Sequence, residues 1–230
     1  PATVCLEVQD NLERVCRQFP EFDNIVTRIV GMPYKHLPPV DFMASISSLP
    51  LLMGYSGLED VPKPEKYLSP LAGTRSPVPD DVWAASEGKL RVAISYAGAA
   101  IHSADQSRSV HLSRFKELMG PGVELFVVAR DTPERTWDGK KVNLLDGADQ
   151  VRVTDLSPFV KDFNDTLHVL DKIDLVVTID SAMCHVAAAA GKKTWMLLPR
   201  VCDCRWLLDG DGSPWYPTLR LFRQSESYVW

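Results

Sequence analysis

One stretch near the end of the chain, residues 174 to 205, constrains the fold more than any other. It begins with the apolar run Leu175–Ile179, passes through a polar turn into an alanine-rich segment that ends at Gly191, and closes with a second apolar run at residues 194 to 198. Two β-rich runs joined by a helix-length segment are typical of a βαβ unit in a buried parallel sheet. The sequence therefore predicts an α/β fold.

The turn inside this stretch holds the candidate chemistry. Asp180 or Ser181 can cap the following helix, so that the free amides of Ala182 and Met183 point outward with the positive end of the helix dipole. Such a helix start attracts phosphate. His185 follows Ser181 by four residues, so it lies on the same helical face and can offer a hydrogen-bond donor or a proton relay. The sequence also allows a simpler interpretation, a plain helix cap and a structural histidine.

The first 60 residues have the pattern of a small α/β unit. Period and composition predict the following elements: strands at residues 3 to 8 and 24 to 30, a helix at residues 11 to 19, a third strand over residues 41 to 43, and a short apolar helix at residues 49 to 53. Residues 61 to 80 are too rich in proline for a helix or a central strand, so they are predicted to form an interdomain linker. An ordinary long surface loop is the alternative.

Residues 81 to 230 repeat the α/β pattern and predict a second, larger domain. Its predicted elements before the βαβ unit are one or two helical turns at residues 80 to 86, a strand at 90 to 95, an amphipathic helix around residues 112 to 119, strands at 123 to 129 and 151 to 154, and a helix that starts near Phe163.

The turn after the first strand of this domain is a second candidate part of the site. Ligands of open α/β sheets lie beyond the carboxyl ends of the strands, and here that end carries small residues around Gly98. A lone glycine forms neither a dinucleotide fingerprint nor a P-loop. The polar segment that follows contains Arg108, whose planar guanidinium suits paired phosphate oxygens. A solvated loop arginine is the alternative.

Composition excludes several classes of protein. A net charge of −5 argues against a dedicated nucleic-acid surface, and no apolar run in the 230 residues approaches the length of a membrane span. The five cysteines are odd in number and irregularly spaced, which suits a reducing, cytoplasmic compartment. Cys184, His185, Cys202 and Cys204 do not have the spacing of a zinc site, so the sequence predicts no metal.

The same stretch and the residues after it resemble one bacterial glycosyltransferase group, the heptosyltransferase-like (family 9) proteins of GT-B type, in the branch commonly fused to tetratricopeptide repeats. The matching residues are Asp180, Ser181, Ala182, His185, Gly191, Lys192, Leu198, Pro199, Asp203, Arg205, Trp206, Leu207 and Leu208, followed by residues 213 to 217 and 219 to 224. The resemblance covers most of the chain. No internal repeat is visible, so a repeat region is expected only elsewhere in a longer natural protein.

The resemblance implies a GT-B-like fold of two Rossmann-like domains with parallel sheets. The predicted boundaries are an acceptor-side domain at residues 1 to 60, the linker at 61 to 80, and a donor-binding domain at 81 to 230. Family members carry a Gly-rich turn ahead of the segment that matches residues 3 to 8. The N-terminal domain is therefore expected to be incomplete.

The resemblance also implies a function, the metal-independent inverting transfer of a hexosyl or heptosyl group from a nucleotide-sugar donor. No cofactor is expected, and the acceptor is a glycan, a lipid-linked sugar or a protein. The implied donor-binding residues are Asp180, Ser181, Ala182, Met183, His185, Arg108, Gly98, Asp165 and Thr166. For the last two, a helix-start role is an equal alternative. The loop at residues 130 to 135 is where the family reads the base or ribose. The catalytic base is expected from the other domain, and the sequence does not identify it.

Two other functions remain open at this stage. The chain can be a GT-B-like domain that has lost activity and serves as a nucleotide-sugar-binding or protein-interaction module. An epimerase that acts on nucleotide sugars is a weaker alternative, because the sequence shows no constellation of paired acids.

Overall fold

A computed structural model describes residues 4–19, 25–29, 40–129 and 133–226. Its strands are β1 (Val4–Val8), β2 (Ile25–Ile29), β3 (Leu90–Ser95), β4 (Val123–Val127), β5 (Glu134–Trp137), β6 (Lys140–Asn143), β7 (Thr154–Asp155), β8 (Leu175–Ile179), β9 (Lys193–Leu198) and β10 (Leu219–Arg223). Its α-helices are α1 (Glu13–Cys16), α2 (Leu49–Leu52), α3 (Asp105–Arg108), α4 (Phe163–Asp171) and α5 (Ala182–Ala189). The predicted α/β fold is confirmed.

Six of the strands form one parallel sheet in the order β10-β9-β8-β3-β4-β7. Numbered from β3, the first strand in this sheet, the order is that of a doubly wound Rossmann-type sheet, 3-2-1-4-5-6. The chain reverses its direction of winding between β3 and β8. The carboxyl ends of these two strands therefore flank the crevice in which such sheets bind ligands.

Alternating residues of the central strands fill two hydrophobic layers. Ala93, Phe126 and Val176 pack in one cluster with residues of α4 and α5. Their neighbours along the strands, such as Ile94 and Val177, pack in the other cluster with the 3₁₀ segment Leu112–Leu118. Both faces of the sheet are thus covered, as parallel sheets require.

Helix α5 packs very closely on the sheet because its inner surface is made of alanines. Ala187, Ala188 and Ala189 are each at most 2% exposed. Gly191 follows the C-cap residue Ala190, and its φ of +72° is the left-handed conformation that favours glycine after a helix. A Cβ atom there would lie 3.0 Å from the Glu65 carbonyl oxygen, so the preceding segment also crosses close to this turn.

Residues 61 to 80, the predicted linker, run along α4 and α5. The amides of Tyr67 and Leu68 both donate to the Ala189 carbonyl, at 2.9 and 3.0 Å. Further along, the Leu71 amide donates to Asn164 Oδ1 at 2.7 Å, and Asn164 is fully buried in α4. These contacts hold the proline-rich segment against α4 and α5.

The N-terminal part has two parallel strands, as predicted, but its other elements are shorter. The predicted helix at residues 11 to 19 is a 3₁₀ turn, Asp10–Leu12, followed by the single turn α1. The predicted strand at residues 41 to 43 is wrong, because these residues form no strand and the side chains of Phe42 and Met43 are exposed. The short apolar helix is present as α2.

Three secondary-structure elements within residues 81 to 230 differ from the sequence prediction. The amphipathic helix near residue 112 is 3₁₀, and the strand predicted at residues 151 to 154 is the two-residue β7. An antiparallel hairpin, β5–β6, was not predicted and lies between β4 and β7 in the chain. Among the described residues, no helix has the length and apolarity that a membrane crossing requires.

Candidate functional site

The candidate site lies at the carboxyl ends of β3 and β8, where the winding direction of the sheet reverses. The turn around Gly98 follows β3, and Asp180 and Ser181 follow β8. Ser181 occupies the N-cap position of α5 with extended backbone angles, φ −148° and ψ 175°. Its side chain makes no cap hydrogen bond. The Ser181 side chain therefore does not occupy the backbone N–H groups of Ala182 and Met183, which the sequence predicts to be free at this helix start.

Arg108 joins these two turns, although it lies 72 residues before Asp180 in the chain. Its Nη1 donates a hydrogen bond to the Asp180 carbonyl oxygen at 3.0 Å. The guanidinium lies directly against the backbone of Gly98, where a Cβ atom would approach Arg108 Nη2 to 2.5 Å. A residue larger than glycine at position 98 would therefore displace the guanidinium. The structure thus brings together three residues that the sequence proposed separately: Gly98, Arg108 and Asp180.

A buried ionic network supports Arg108 from beneath. The Asp105 carboxylate is 2% exposed and accepts from Arg135 Nε at 2.8 Å. Its other oxygen lies 3.8 Å from Arg108 Nε and accepts from the Ser109 hydroxyl at 2.7 Å. Arg135 also donates from Nη2 to the Gly98 carbonyl at 2.9 Å. Two guanidinium groups share one carboxylate, so the network leaves a net positive charge behind the Gly98 turn.

The sequence indicates no site role for Asp105, and it places Arg135 only in the short polar loop where the family reads the base or ribose. In the structure, Arg135 lies in β5 and is 4% exposed. Residues 130 to 132 of that loop lie outside the described residues. The sequence holds only half of the signal: Asp105 lies 7 residues after Gly98, but Arg135 lies 37 residues after it, and its pairing with Asp105 depends on the fold of the β5–β6 hairpin.

His185 lies one turn into α5, in a cluster of aromatic and charged side chains. Its Nδ1 is 2.9 Å from the Tyr216 hydroxyl oxygen, and its ring stacks on Trp206 with the ring centroids 5.3 Å apart. Its Nε2 is 3.5 Å from Arg205 Nη1. Burial, and then the positive charge of Arg205, lower the pKa of His185. The imidazole is therefore neutral at physiological pH.

Arg205 is a second guanidinium at this end of α5. It forms a two-point ion pair with Asp203, with Nε to Oδ1 at 2.9 Å and Nη2 to Oδ2 at 3.0 Å. These hydrogen bonds hold the pKa of the Asp203 carboxyl well below its usual range. The backbone carbonyl of Arg205 accepts from Trp215 Nε1 at 2.9 Å. The motif residues around position 205 thus form a folded loop beside His185, which sequence reasoning had not placed in the site.

Asp165 and Thr166 lie in the first turn of α4 and make the contacts of a helix start. Thr166 Oγ1 donates to the Asp162 carbonyl at 3.1 Å, and Asp165 Oδ2 accepts from the Lys161 amide at 3.1 Å. Asp165 also pairs with Arg14 of the N-terminal part, with Nη1 3.2 Å from Oδ1. These contacts fit the helix-start alternative, and a donor contact for either residue stays a prediction.

One group of side chains has ligand atoms of the kind that bind metals. The ligand atoms of Asp180, Cys184 and His185 all lie within 4.8 Å of one another. Burial, and then the charge of Asp180, raise the pKa of Cys184 to about 12, and its thiol donates to the Ser181 carbonyl at 2.9 Å. Without an ion, the Cys184 thiol is therefore protonated, and a metal would have to displace that proton, because thiols bind metals as thiolates.

Comparisons with protein-family models, with curated proteins and with solved structures found no match to this chain.

Proposed function

We propose that the chain binds a nucleotide-sugar donor as the donor-side part of a GT-B-type glycosyltransferase. The observation that carries the proposal is the joining of Arg108 to the start of α5 across Gly98, at the point where the winding of the sheet reverses. A guanidinium and a helix start that meet in this crevice are suited to a diphosphate. In the proposed protein, residues 1 to 60 belong to the acceptor-side domain.

The electrostatics of the site support a metal-independent reaction. In sugar transfer from such a donor, negative charge develops on the leaving diphosphate. Fixed donors aimed at that charge lower the barrier without a cation. Arg108 is 13% exposed, so its charge is weakly screened by water. A base, expected from the other domain, would take the proton of the acceptor hydroxyl as its oxygen attacks the anomeric carbon opposite the leaving diphosphate, which inverts the configuration.

Titration with UDP, GDP and ADP tests the proposal, because the sequence does not fix the base. We expect at least one of the three to bind the wild-type chain by calorimetry, with the same affinity in the presence and absence of EDTA. If none of them binds, the proposed function is wrong. Binding without transfer to any acceptor would instead favour the module that has lost activity.

Removal of the Arg108 side chain tests the residue that carries the proposal. Arg108→Ala should weaken binding of the best nucleotide more than about tenfold, or about 1.4 kcal/mol, because a hydrogen-bonded contact between charged groups is lost. Arg114→Ala is the matched control, since Arg114 is exposed on the 3₁₀ segment Leu112–Leu118. An unchanged dissociation constant for Arg108→Ala would remove Arg108 from the site.

A further inference from the structure

We propose that Asp105 and Arg135 are positioning residues that hold Arg108 and the Gly98 turn in place for the diphosphate of the donor. This inference rests on the proposed function and adds to it a role for the β5–β6 hairpin. The hairpin delivers Arg135 to the underside of the crevice, where the Arg135 side chain is 1% exposed. Arg135 is thus too deeply buried to touch a ligand and acts through its neighbours.

The buried network holds both the carbonyl and the amide of Gly98. Its carbonyl accepts from Arg135 Nη2 at 2.9 Å, and its amide donates to Ser109 Oγ at 3.0 Å. Both Arg135 and Ser109 bind Asp105 in turn, at 2.8 and 2.7 Å. One buried carboxylate therefore fixes the donor and the acceptor that grip the turn.

The hydrogen bonds of Arg108 do not by themselves fix the orientation of its guanidinium. Its Nε is buried and has no hydrogen-bond partner among the described residues, and its Nη1 has the Asp180 carbonyl. The remaining constraints on the guanidinium are the Gly98 backbone and the negative charge of Asp105, 3.8 Å from Nε. Both constraints depend on the Asp105–Arg135 pair. Loss of the pair would release the guanidinium from the start of α5.

The network also sets how much positive charge Arg108 presents to a ligand. If Asp105 faced Arg108 alone, the carboxylate would cancel the positive charge that a diphosphate needs. Arg135 makes the closer ion pair, 2.8 Å against 3.8 Å, so Asp105 is largely neutralised by Arg135. Arg108 keeps its attraction for an anion while it is still oriented. Asp105 thus orients the Arg108 guanidinium, while Arg135 neutralises most of the Asp105 charge.

A double-mutant cycle with the best-binding nucleoside diphosphate tests the inference. Asp105→Asn should weaken binding about fivefold or more in the wild-type chain, within the coupling range of contacting residues. In the Arg108→Ala background, it should weaken binding less than about twofold, because its effect acts through Arg108. Arg135→Lys keeps the charge but loses the fork that reaches Gly98, so it should lie between wild type and Asp105→Asn.

Glu124→Gln is the control, since the largely buried Glu124 carboxylate forms an ion pair of the same length with the partly exposed Lys89, at 2.8 Å. Lys89 precedes β3, at the end of the strand away from the site, so this variant should leave nucleotide affinity unchanged. The inference is overturned if Asp105→Asn weakens binding no more than Glu124→Gln, or if its effect is the same with and without Arg108. Arg135→Lys decides the case if Asp105→Asn does not fold.

A crystal structure of Asp105→Asn separates this inference from the proposed function. We expect the Arg108 guanidinium to leave the Asp180 carbonyl in that structure. If it stays, the positioning role is wrong even where the wild-type chain binds nucleotides. If the guanidinium moves but the wild-type chain binds none of the three nucleotides, the positioning role stands, and the proposed function and the ligand fail.

Discussion

Burial shifts the pKa values of ionisable side chains near the start of α5, and His185 is one of them. Its ring is held between Tyr216 and Trp206 and faces the charge of Arg205. Burial also raises the pKa of the Tyr216 hydroxyl, with a further contribution from Tyr67. This end of the helix therefore favours uncharged rings. Because a guanidinium can only donate, His185 Nε2 accepts from Arg205, and the N–H of the neutral ring is on Nδ1, where it donates to the Tyr216 hydroxyl.

His185→Gln should reduce the dependence of stability on pH between about 7.5 and 5.5. Burial and then Arg205 lower the pKa of His185 in the folded chain below the ordinary 6.5. As the pH falls below 6.5, the histidine is protonated in the unfolded chain but stays neutral in the folded chain. The free energy of unfolding therefore decreases until the pH reaches the pKa of His185 in the folded chain. Above pH 6.5, both states are neutral and the stability is fully present.

Urea unfolding at pH 7.5 and 5.5 measures this effect. The wild-type chain should lose more free energy of unfolding between the two pH values than His185→Gln loses. His102→Gln, at an exposed histidine, is the control and should behave as wild type. Equal losses in wild type and His185→Gln would contradict the expected burial of the imidazole.

The buried thiol of Cys184 gives a second test at this scale. The side chain is 0% exposed, and burial raises its pKa to about 12, so it offers almost no thiolate. Iodoacetamide should therefore leave Cys184 unmodified in the native chain and label the exposed Cys204. Peptide mapping by mass spectrometry, before and after addition of urea, reads this out. Labelling of both cysteines at the same rate without urea would show that the start of α5 is open.

At the scale of elements, the close packing of α5 sets the position of the candidate site. Ala188 is 1% exposed and packs in a cluster with Met196 and Trp206. Ala188→Leu should lower the free energy of unfolding by about 1 to 3 kcal/mol, because the added methylenes find no space in a packed core. Ala85→Leu is the control, at an exposed position in the 3₁₀ segment Asp80–Ser86. Urea unfolding compares the two, and equal stability would mean that α5 does not sit tightly on the sheet.

The elements that the sequence predicted correctly are those whose signals are local. The βαβ unit of β8, α5 and β9 was evident from two β-rich runs and the alanines between them, because burial on both faces of a parallel sheet requires such runs. The sequence also indicated the correct edge of the sheet, since carboxyl ends of parallel strands share one edge.

The parts that the sequence missed depend on contacts between distant residues. The sequence indicates only that Arg135 lies in a polar loop. In the structure, the β5–β6 hairpin places it against Asp105, which lies 30 residues away in the chain. The strand predicted at residues 41 to 43 is apolar enough for a strand, but no neighbouring strand pairs with it among the described residues. Local pattern predicts the capacity to form an element, and tertiary pairing decides whether it forms.

At the scale of the whole molecule, the N-terminal part and residues 61 to 80 pack on the helices that cover the six-stranded sheet. Val15 is 6% exposed and belongs to the same hydrophobic cluster as Leu167 and Leu170 of α4. Arg14 pairs with Asp162 at the start of α4, with Nη1 2.8 Å from Oδ2. Residues 61 to 80 add hydrogen bonds to Ala189 of α5 and Asn164 of α4. Helix α4 and Val15 of the N-terminal part therefore share one hydrophobic core.

The region around α2 is different, because it is apolar and exposed. The large apolar residues of this region are Val40, Phe42, Met43, Ile46, Leu49, Leu51, Leu52 and Met53, and each is more than 40% exposed. Exposed apolar side chains add little to the stability of a chain, whereas the same side chains in the core contribute strongly. Two leucines allow this contrast to be measured with one kind of substitution.

Leu51→Ala and Leu167→Ala should differ sharply in stability. Leu167 is 1% exposed in α4, so its truncation leaves a cavity and should cost about 2 to 5 kcal/mol. Leu51 is 78% exposed in α2, so its truncation should change the free energy of unfolding by no more than about 0.5 kcal/mol. Urea unfolding at two protein concentrations measures both. A large cost for Leu51→Ala at either concentration would contradict the exposure of α2. If that cost grew with concentration, α2 would be buried by association between copies of the chain, and if it did not, by contacts within one copy.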